Sequence, residues 1–512
     1  MAKIERTKNT ITGSIWGLIE KLSNILLPFI IRTLLIKKLG AEYLGLSSLF
    51  SSILQVLNLT ELGFGSAVVF AMYKPIAEDN YDMVGAILSY LRKIYRVIGV
   101  VIILIGLGII PFLDFFISGD VPENINITIL YLIYLFNTAV SYILFAHKTS
   151  LLLALQCNDV IGEVGFFTNT AMYIIQIIIL MSIPNYYVYI AVIPLTTIVA
   201  NIIRSLIVDR RYKRWLIYGN LDSQVKQQIR SKVWPLMGTK LAVVVINSSD
   251  TLVISSFLGL SSVAMYNNYF YIMNSALGCL MVVYNAMQSG IGNSLVMDSL
   301  DKILNDYNKF SFVNNWIITL CSTCLLCLYQ PFMKIWVGEG MMLSTTFVAL
   351  MTLYFYMSAI GKIIVIYKDA AGIWREDMIR CYFTNFLNLA VNIVTVKKFG
   401  VYGVIGSSIL AVLIAVPWTE KILFKIVFKT GTFKANMTMI RNGMVAIFIS
   451  CLAYFFTVNL PDGILWLTVR LLMCVIICNS LLFLLFRSTR DYKEMVTWIK
   501  STMRRMDRRN MR

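Results

Sequence analysis

Glu20, Lys21, Arg32 and Glu61 are ionisable side chains set inside apolar runs of residues 10–118, a segment that otherwise reads as lipid-soluble helix. At bilayer depth such a group costs roughly 3 kcal/mol or more unless it faces a polar cavity or a partner, so each is a candidate functional residue. Lys21, Pro28 and Arg32 are spaced to share nearly one helical face, and Lys240 falls about 13 Å into an apolar helix expected from residue 231. Two helices thus offer cations, which meet an anion through charge-assisted hydrogen bonds. Arg32, Lys240 and Lys21 are the candidate anion-binding residues. The competing account is snorkelling, in which a long cation near a span end reaches back to the headgroups. Arg204, Lys362 and Arg470 are assigned to it.

Polar stripes at helical spacing accompany the cations. Asn267, Tyr271, Asn274, Asn285 and Gln288 share one face of the eighth expected span, Asn385, Asn388 and Asn392 one face of the eleventh, and Asn169, Tyr173 and Gln176 one face of the fifth. Amides and tyrosines at this density suit sugar hydroxyls in a wet lumen, with Tyr271, Asn274 and Asn388 as candidate contacts. For any single Asn, bonding two helices together is the better account; three stripes on helices from both halves favour the lumen. The acids Glu20, Glu61 and Asp250 would oppose an anion unless they pair with Arg or Lys or titrate, so they are read as ion-coupling groups, for a proton or Na⁺, or as structural ion pairs.

The elements that must position these residues are membrane spans. With 58% hydrophobic residues, 14% charged residues and a mean hydropathy of +0.74, 512 residues read as an all-α polytopic membrane protein. Hydropathy places fourteen spans, near 10–36, 46–73, 92–117, 127–147, 158–182, 187–208, 231–257, 263–288, 309–331, 344–367, 377–396, 402–427, 440–458 and 464–486.

Lys and Arg gather before the first span, in the 210–232 connection and in the tail, whereas the loops near 120, 184, 260 and 460 carry none. Both termini are therefore expected in the cytoplasm. This asymmetry also accounts for the net charge of +18 without nucleic acid as a partner. From Asp491 the tail sets Tyr492, Met495, Val496, Ile499, Met503 and Met506 on one face beside Arg504, Arg505, Arg508 and Arg509, which reads as a helix on an anionic membrane surface or as a solvated basic tail.

Other chemistries are excluded. Nine cysteines and the single histidine, His147, give no metal-ligand set, and Cys321, Cys324 and Cys327 read as packing residues within one apolar helix. The first apolar run lacks a cleavage site and reads as a retained span. No cofactor is called for, no phosphate-binding Gly-x-x-x-x-Gly-Lys loop appears, and no loop is long enough for a catalytic domain, so the chain is read as no enzyme.

A repeat organises the spans. Leu39-Gly40 joins spans one and two, and Leu258-Gly259 joins spans seven and eight at the corresponding place. The division expected is a six-helix half over 1–208, a basic linker over 209–230, a second half over 231–428, two further helices over 429–487 and a tail over 488–512. Two such halves can enclose a central cavity and open it to either side by rocking.

Arg32-Thr33 leading to Leu39-Gly40-Ala41-Glu42-Tyr43-Leu44-Gly45, then Glu61-Leu62-Gly63-Phe64-Gly65-Ser66-Ala67, Tyr73-Lys74-Pro75, Asn247-Ser248-Ser249-Asp250 and Tyr266-Asn267-Asn268-Tyr269, resembles the Wzx-type lipid-linked oligosaccharide flippases of the MOP exporter superfamily. The resemblance covers residues 5–300 best and rests afterwards on span count and on Phe399-Gly400-Val401-Tyr402-Gly403. It implies translocation of an undecaprenyl-pyrophosphate-linked oligosaccharide across a bacterial plasma membrane, with the cations on the pyrophosphate and other glycan-assembly membrane proteins as partners. The alternatives are a cation-coupled drug exporter of the same superfamily, which would want an acidic interior and twelve spans, and a membrane glycan polymerase or ligase, which would want large outer loops.

Overall fold

The computed structural model describes residues 6–58, 64–119, 121–217 and 219–497, and among them there is helix and short connection but no strand. The chain packs as two compact units, Met1–Ala264 and Met265–Arg512. The first holds α1 (Arg6–Lys38), α2 (Ala41–Leu57), α3 (Phe64–Ala77), α4 (Tyr81–Ile109), α5 (Ile127–Ile143), α6 (Ala146–Ala154), α7 (Asn158–Ser182), α8 (Tyr186–Arg211) and α9 (Ser223–Leu258). The second begins within α10 (Leu260–Met297) and continues with α11 (Leu300–Trp336), α12 (Thr345–Ala370), α13 (Met378–Phe399), α14 (Val401–Leu423), α15 (Phe433–Thr457) and α16 (Ile464–Phe486).

Local sequence accounts for where these helices start. Asn80, Asn126 and Asn185 cap α4, α5 and α8 by accepting from backbone N–H groups of the first turn, as Asn80 Oδ1 does from Met83 N at 3.0 Å. Two repeat-related junctions are made by glycine in conformations that side chains rarely adopt: Gly40 at φ +125° between α1 and α2, and Gly259 at φ +84° between α9 and α10. Large apolar side chains such as Leu104, Met181, Phe386, Phe455 and Leu465 point outward, as a lipid-facing surface requires.

Eight of the described helices are by themselves long and apolar enough to cross a membrane, nine if α5 and α6 form one span bent by 51°. With α2 and α3 in the place of the second expected span and α5 and α6 in that of the fourth, α1–α16 supply the fourteen spans in order. The protein is an all-α multi-pass membrane protein.

Three departures from the expected boundaries bear on the site and the tail. The fourth span does not run straight over 127–147: Phe145 takes a left-handed φ of +59°, and the chain turns there into α6. The seventh starts at Ser223 and not at 231, which places Lys240 about 26 Å along α9 and not about 13 Å. The start of the tail is not free for a membrane surface: residues 490–497 are helical, Tyr492 stacks on Trp316 at 6.0 Å, and Tyr492 and Met495 pack against Phe312, Ile449, Leu482 and Phe486. The basic cluster at Arg504, Arg505, Arg508 and Arg509 lies outside the described residues.

Candidate functional site

The polar chemistry of the first unit begins where α1 lies against α7. Small residues on α7 let α1 approach closely: a Cβ added at Gly165 would stand 2.1 Å from Glu20 Oε1. Ser23 Oγ and Thr170 Oγ1 are 3.1 Å apart, and Asn24 Oδ1 accepts from Asn169 Nδ2 at 3.4 Å and from Tyr173 OH at 3.3 Å. Glu20, Ser23 and Asn24 therefore form a polar seam with Gly165, Asn169, Thr170 and Tyr173.

Beyond this seam is a cavity of about 930 Å³ lined by side chains of α3–α8, among them Tyr95, Ser150, Asn169, Thr197, Asn201 and Arg204. Arg204, on α8, is the cation of this wall, and its Nε is buried without a hydrogen-bond partner. Glu20 and Arg204 act on each other electrostatically. Arg204 was expected to snorkel to the headgroups. It lines the cavity instead, opposite in charge to Glu20, in a wall to which the bent pair α5 and α6 also contributes Ser141, Thr149 and Ser150.

The bend is pinned by charge. Lys148 on α6, almost fully buried, donates to both carboxylate oxygens of Asp209 at 2.7 Å and to Ser205 Oγ at 2.8 Å, both on α8. One ammonium with three acceptors around it ties the short helix to α8.

The other expected site residues are distributed as follows. Arg32 is half-buried on α1 and within electrostatic reach of Tyr189 on α8, and Lys21 is half-buried on the same helix. Lys240 belongs to α9, but its side chain lies outside the described residues, as does all of Glu61. Asp250 is 8% exposed on α9, two residues from Ser248, which donates to Gln55 Oε1 of α2 at 3.3 Å. Tyr271 is half-buried and Asn274 exposed on α10, so this stripe offers polar groups at the surface of the second unit, while Asn285 is outside the described side chains.

The stripe on α13 departs from expectation. Asn388 is 1% exposed; its amide donates to Ser407 Oγ at 3.2 Å and Ser408 Oγ at 3.1 Å, and its carbonyl accepts from Asn392. Ser407 in turn donates to Asn392. This cluster bonds α13 to α14, so the described hydrogen bonds of Asn388 are interhelical. Gln176 on α7 is likewise buried and donates to the Tyr189 carbonyl at 3.2 Å. Arg470, also assigned to snorkelling, is 3% exposed and donates to the Leu460 carbonyl.

A second charged knot lies in the turn between α12 and α13. Asp377, 1% exposed, accepts from Lys368 Nζ at 3.0 Å and from Arg380 Nη2 at 2.6 Å. Burial alone would raise its carboxyl, but the Arg380 guanidinium and the Lys368 ammonium outweigh that and hold it below the usual carboxylate range.

Neither the models of known protein families nor the curated proteins contain a match to this sequence. Solved structures do. The fold matches the lipid II flippase MurJ in an inward closed conformation, with TM-score 0.67 and 16% identity over 93% of this chain and 99% of that one. It matches an inward-facing MATE family multidrug transporter of the MOP superfamily, with TM-score 0.62 and 13% identity over 80% of this chain and 96% of that one. It also matches the Vibrio cholerae MATE transporter VcmN, with TM-score 0.58 and 17% identity over 83% of this chain and 97% of that one. The chain has the fold shared by these MOP-type transporters.

Proposed function

We propose that this protein is a flippase that moves a polyprenyl-pyrophosphate-linked oligosaccharide from the inner to the outer leaflet of a bacterial plasma membrane. The observation that carries this reading is the extent of the likeness: it runs over 93% of the chain with a lipid-linked flippase and over 80–84% with MATE transporters. The difference is about the size of α15 and α16 together, the two helices beyond a twelve-span core. The chemistry of the first unit agrees. A cavity with Arg204 among amides and hydroxyls suits an anionic, hydroxyl-rich substrate better than a cationic drug.

In this reading the cavity opens alternately to either side, the sugar passes inside and the lipid tail stays in the bilayer. Glu20, set against Arg204, and Asp250 are the groups through which a proton or Na⁺ would drive the cycle. The test is to delete the gene and to reconstitute the protein. Loss of surface glycan with lipid-linked oligosaccharide held in the inner leaflet, and movement of that lipid in proteoliposomes, are the expected results. Unchanged glycan together with hypersensitivity to cationic drugs would replace the flippase by a drug exporter.

A further inference from the structure

The second unit contains a cavity of about 760 Å³ that the proposed route does not use. Its floor is Asn314 and Asn315 of α11 with Glu420 of α14, and its rim includes Thr438 of α15 and Arg490 and Glu494 of the tail helix. The rim lies at the helix ends that bear Lys302 and Lys434, the side expected to face the cytoplasm.

At the floor one acceptor is unmatched. Glu420 is 3% exposed; its Oε1 accepts from Tyr307 OH at 3.2 Å, and its Oε2 has no hydrogen-bond partner. The neighbouring amides are already engaged. Asn314 Oδ1 accepts from Tyr284 OH, Asn315 Oδ1 accepts from Tyr356 OH at 2.7 Å, and Asn314 Nδ2 donates to the Ala359 carbonyl at 3.3 Å. Two of the rim cations are engaged, Lys302 with Asp298 at 2.6 Å and Arg490 with Glu494 at 2.7 Å, while Lys434 shares the lining with the carboxylates of Asp301 and Asp491.

A buried carboxylate left half-satisfied is costly, and the group that relieves it is a cation carrying hydrogen-bond donors. The cavity is far larger than one ion with its waters, at about 30 Å³ per water. Its walls also carry the Asn308 amide and the Thr438 hydroxyl. We propose that this cavity binds a water-soluble organic ammonium from the cytoplasmic side, with its protonated amine against Glu420. Because Arg490 and Glu494 form part of the rim, an occupied cavity holds the tail helix in place.

The test uses the full chain in nanodiscs, with spermidine and butylamine as probes and sodium and potassium chloride as controls. Spermidine should bind saturably and should protect residues 490–497 from hydrogen exchange. Glu420→Gln keeps a carbonyl oxygen for Tyr307 and should weaken binding at least about tenfold, the effect of losing one charged hydrogen bond. Thr438→Trp, at the exposed rim, should block entry without touching the core, and it decides the matter if Glu420→Gln does not fold. Absence of saturable amine binding, binding unchanged in both variants, or a Glu420-dependent response to sodium or potassium with none to the amines would each overturn the proposal.

Discussion

Ser261 Oγ donates to Glu42 Oε1 at 2.6 Å, joining the start of α10 to the first turn of α2. Beside it the two backbones nearly touch, since a Cβ on Gly45 would stand 2.3 Å from the Leu260 carbonyl oxygen. Ser118 N donates to the Ser255 carbonyl at 3.0 Å close by. These contacts gather the loops near 40, 118 and 260, and on the topology expected from the charge pattern an outer gate for the proposed transport cycle lies there.

Ala41→Cys with Ser261→Cys, in a background cleared of the nine native cysteines, should cross-link and stop transport, with reduction restoring it. Cross-linking that left transport intact would put the outer gate elsewhere.

Gly45→Ala tests the same contact sterically. The added methyl meets backbone and not the end of a flexible side chain, so α2 must move, at a cost of about 1–3 kcal/mol. A lower melting temperature and weaker cross-linking of the Ala41–Ser261 cysteine pair are expected; unchanged values would show that α2 moves freely.

Arg204→Ala should cut glycan export at least about tenfold while protein levels hold, because it removes the cation of the first unit's cavity. Arg32→Ala and Lys240→Ala should do likewise, and Arg32→Lys should keep part of the activity. Normal export by all three alanine variants would remove the cations from substrate binding.

Lys148→Met should lower thermal stability by about 1–3 kcal/mol, since it strands Asp209 and Ser205 while keeping the volume. A melting temperature within error of the parent would mean that the bend after α5 holds without the ion pair.

Asp377 predicts an acid dependence of known sign. Its carboxyl is held below its unfolded value of about 3.9, so its stabilisation is complete above that pH and is lost as pH falls toward the folded value. Asp377→Asn should therefore flatten the loss of melting temperature below about pH 4. A parent-like slope in the variant would assign the acid loss to other carboxylates.

The fold was legible because it depends on run length and apolar content, which sequence displays directly, and the glycine junctions at 40 and 259 fell where the repeat put them. The sites were less so. Arg204 lies near a span end, where snorkelling and cavity lining look the same in sequence; only the left-handed Phe145 and the turn into α6 separate them. Asn388 shares a face with Asn385 and Asn392, and periodicity alone cannot say whether that face meets water or α14. Glu420, flanked by Thr419 and Lys421 near the close of the twelfth span, carries no periodic or motif signal that singles it out in the sequence. Its depth comes from Tyr307 of α11, which is far away in the chain.

The glycine junctions also determine where foreign sequence can be spliced into this protein. A connection of one or two residues stores no slack, so a tag inserted at 39–40 or 259 would pry two neighbouring helices apart, and the left-handed glycine would have no successor able to turn the chain. The connection from α8 to α9 is longer, and its exposed residues Gly219 and Asn220, clear of the packed Trp215 and Leu221, form the splice point better suited to an epitope or a fluorescent domain.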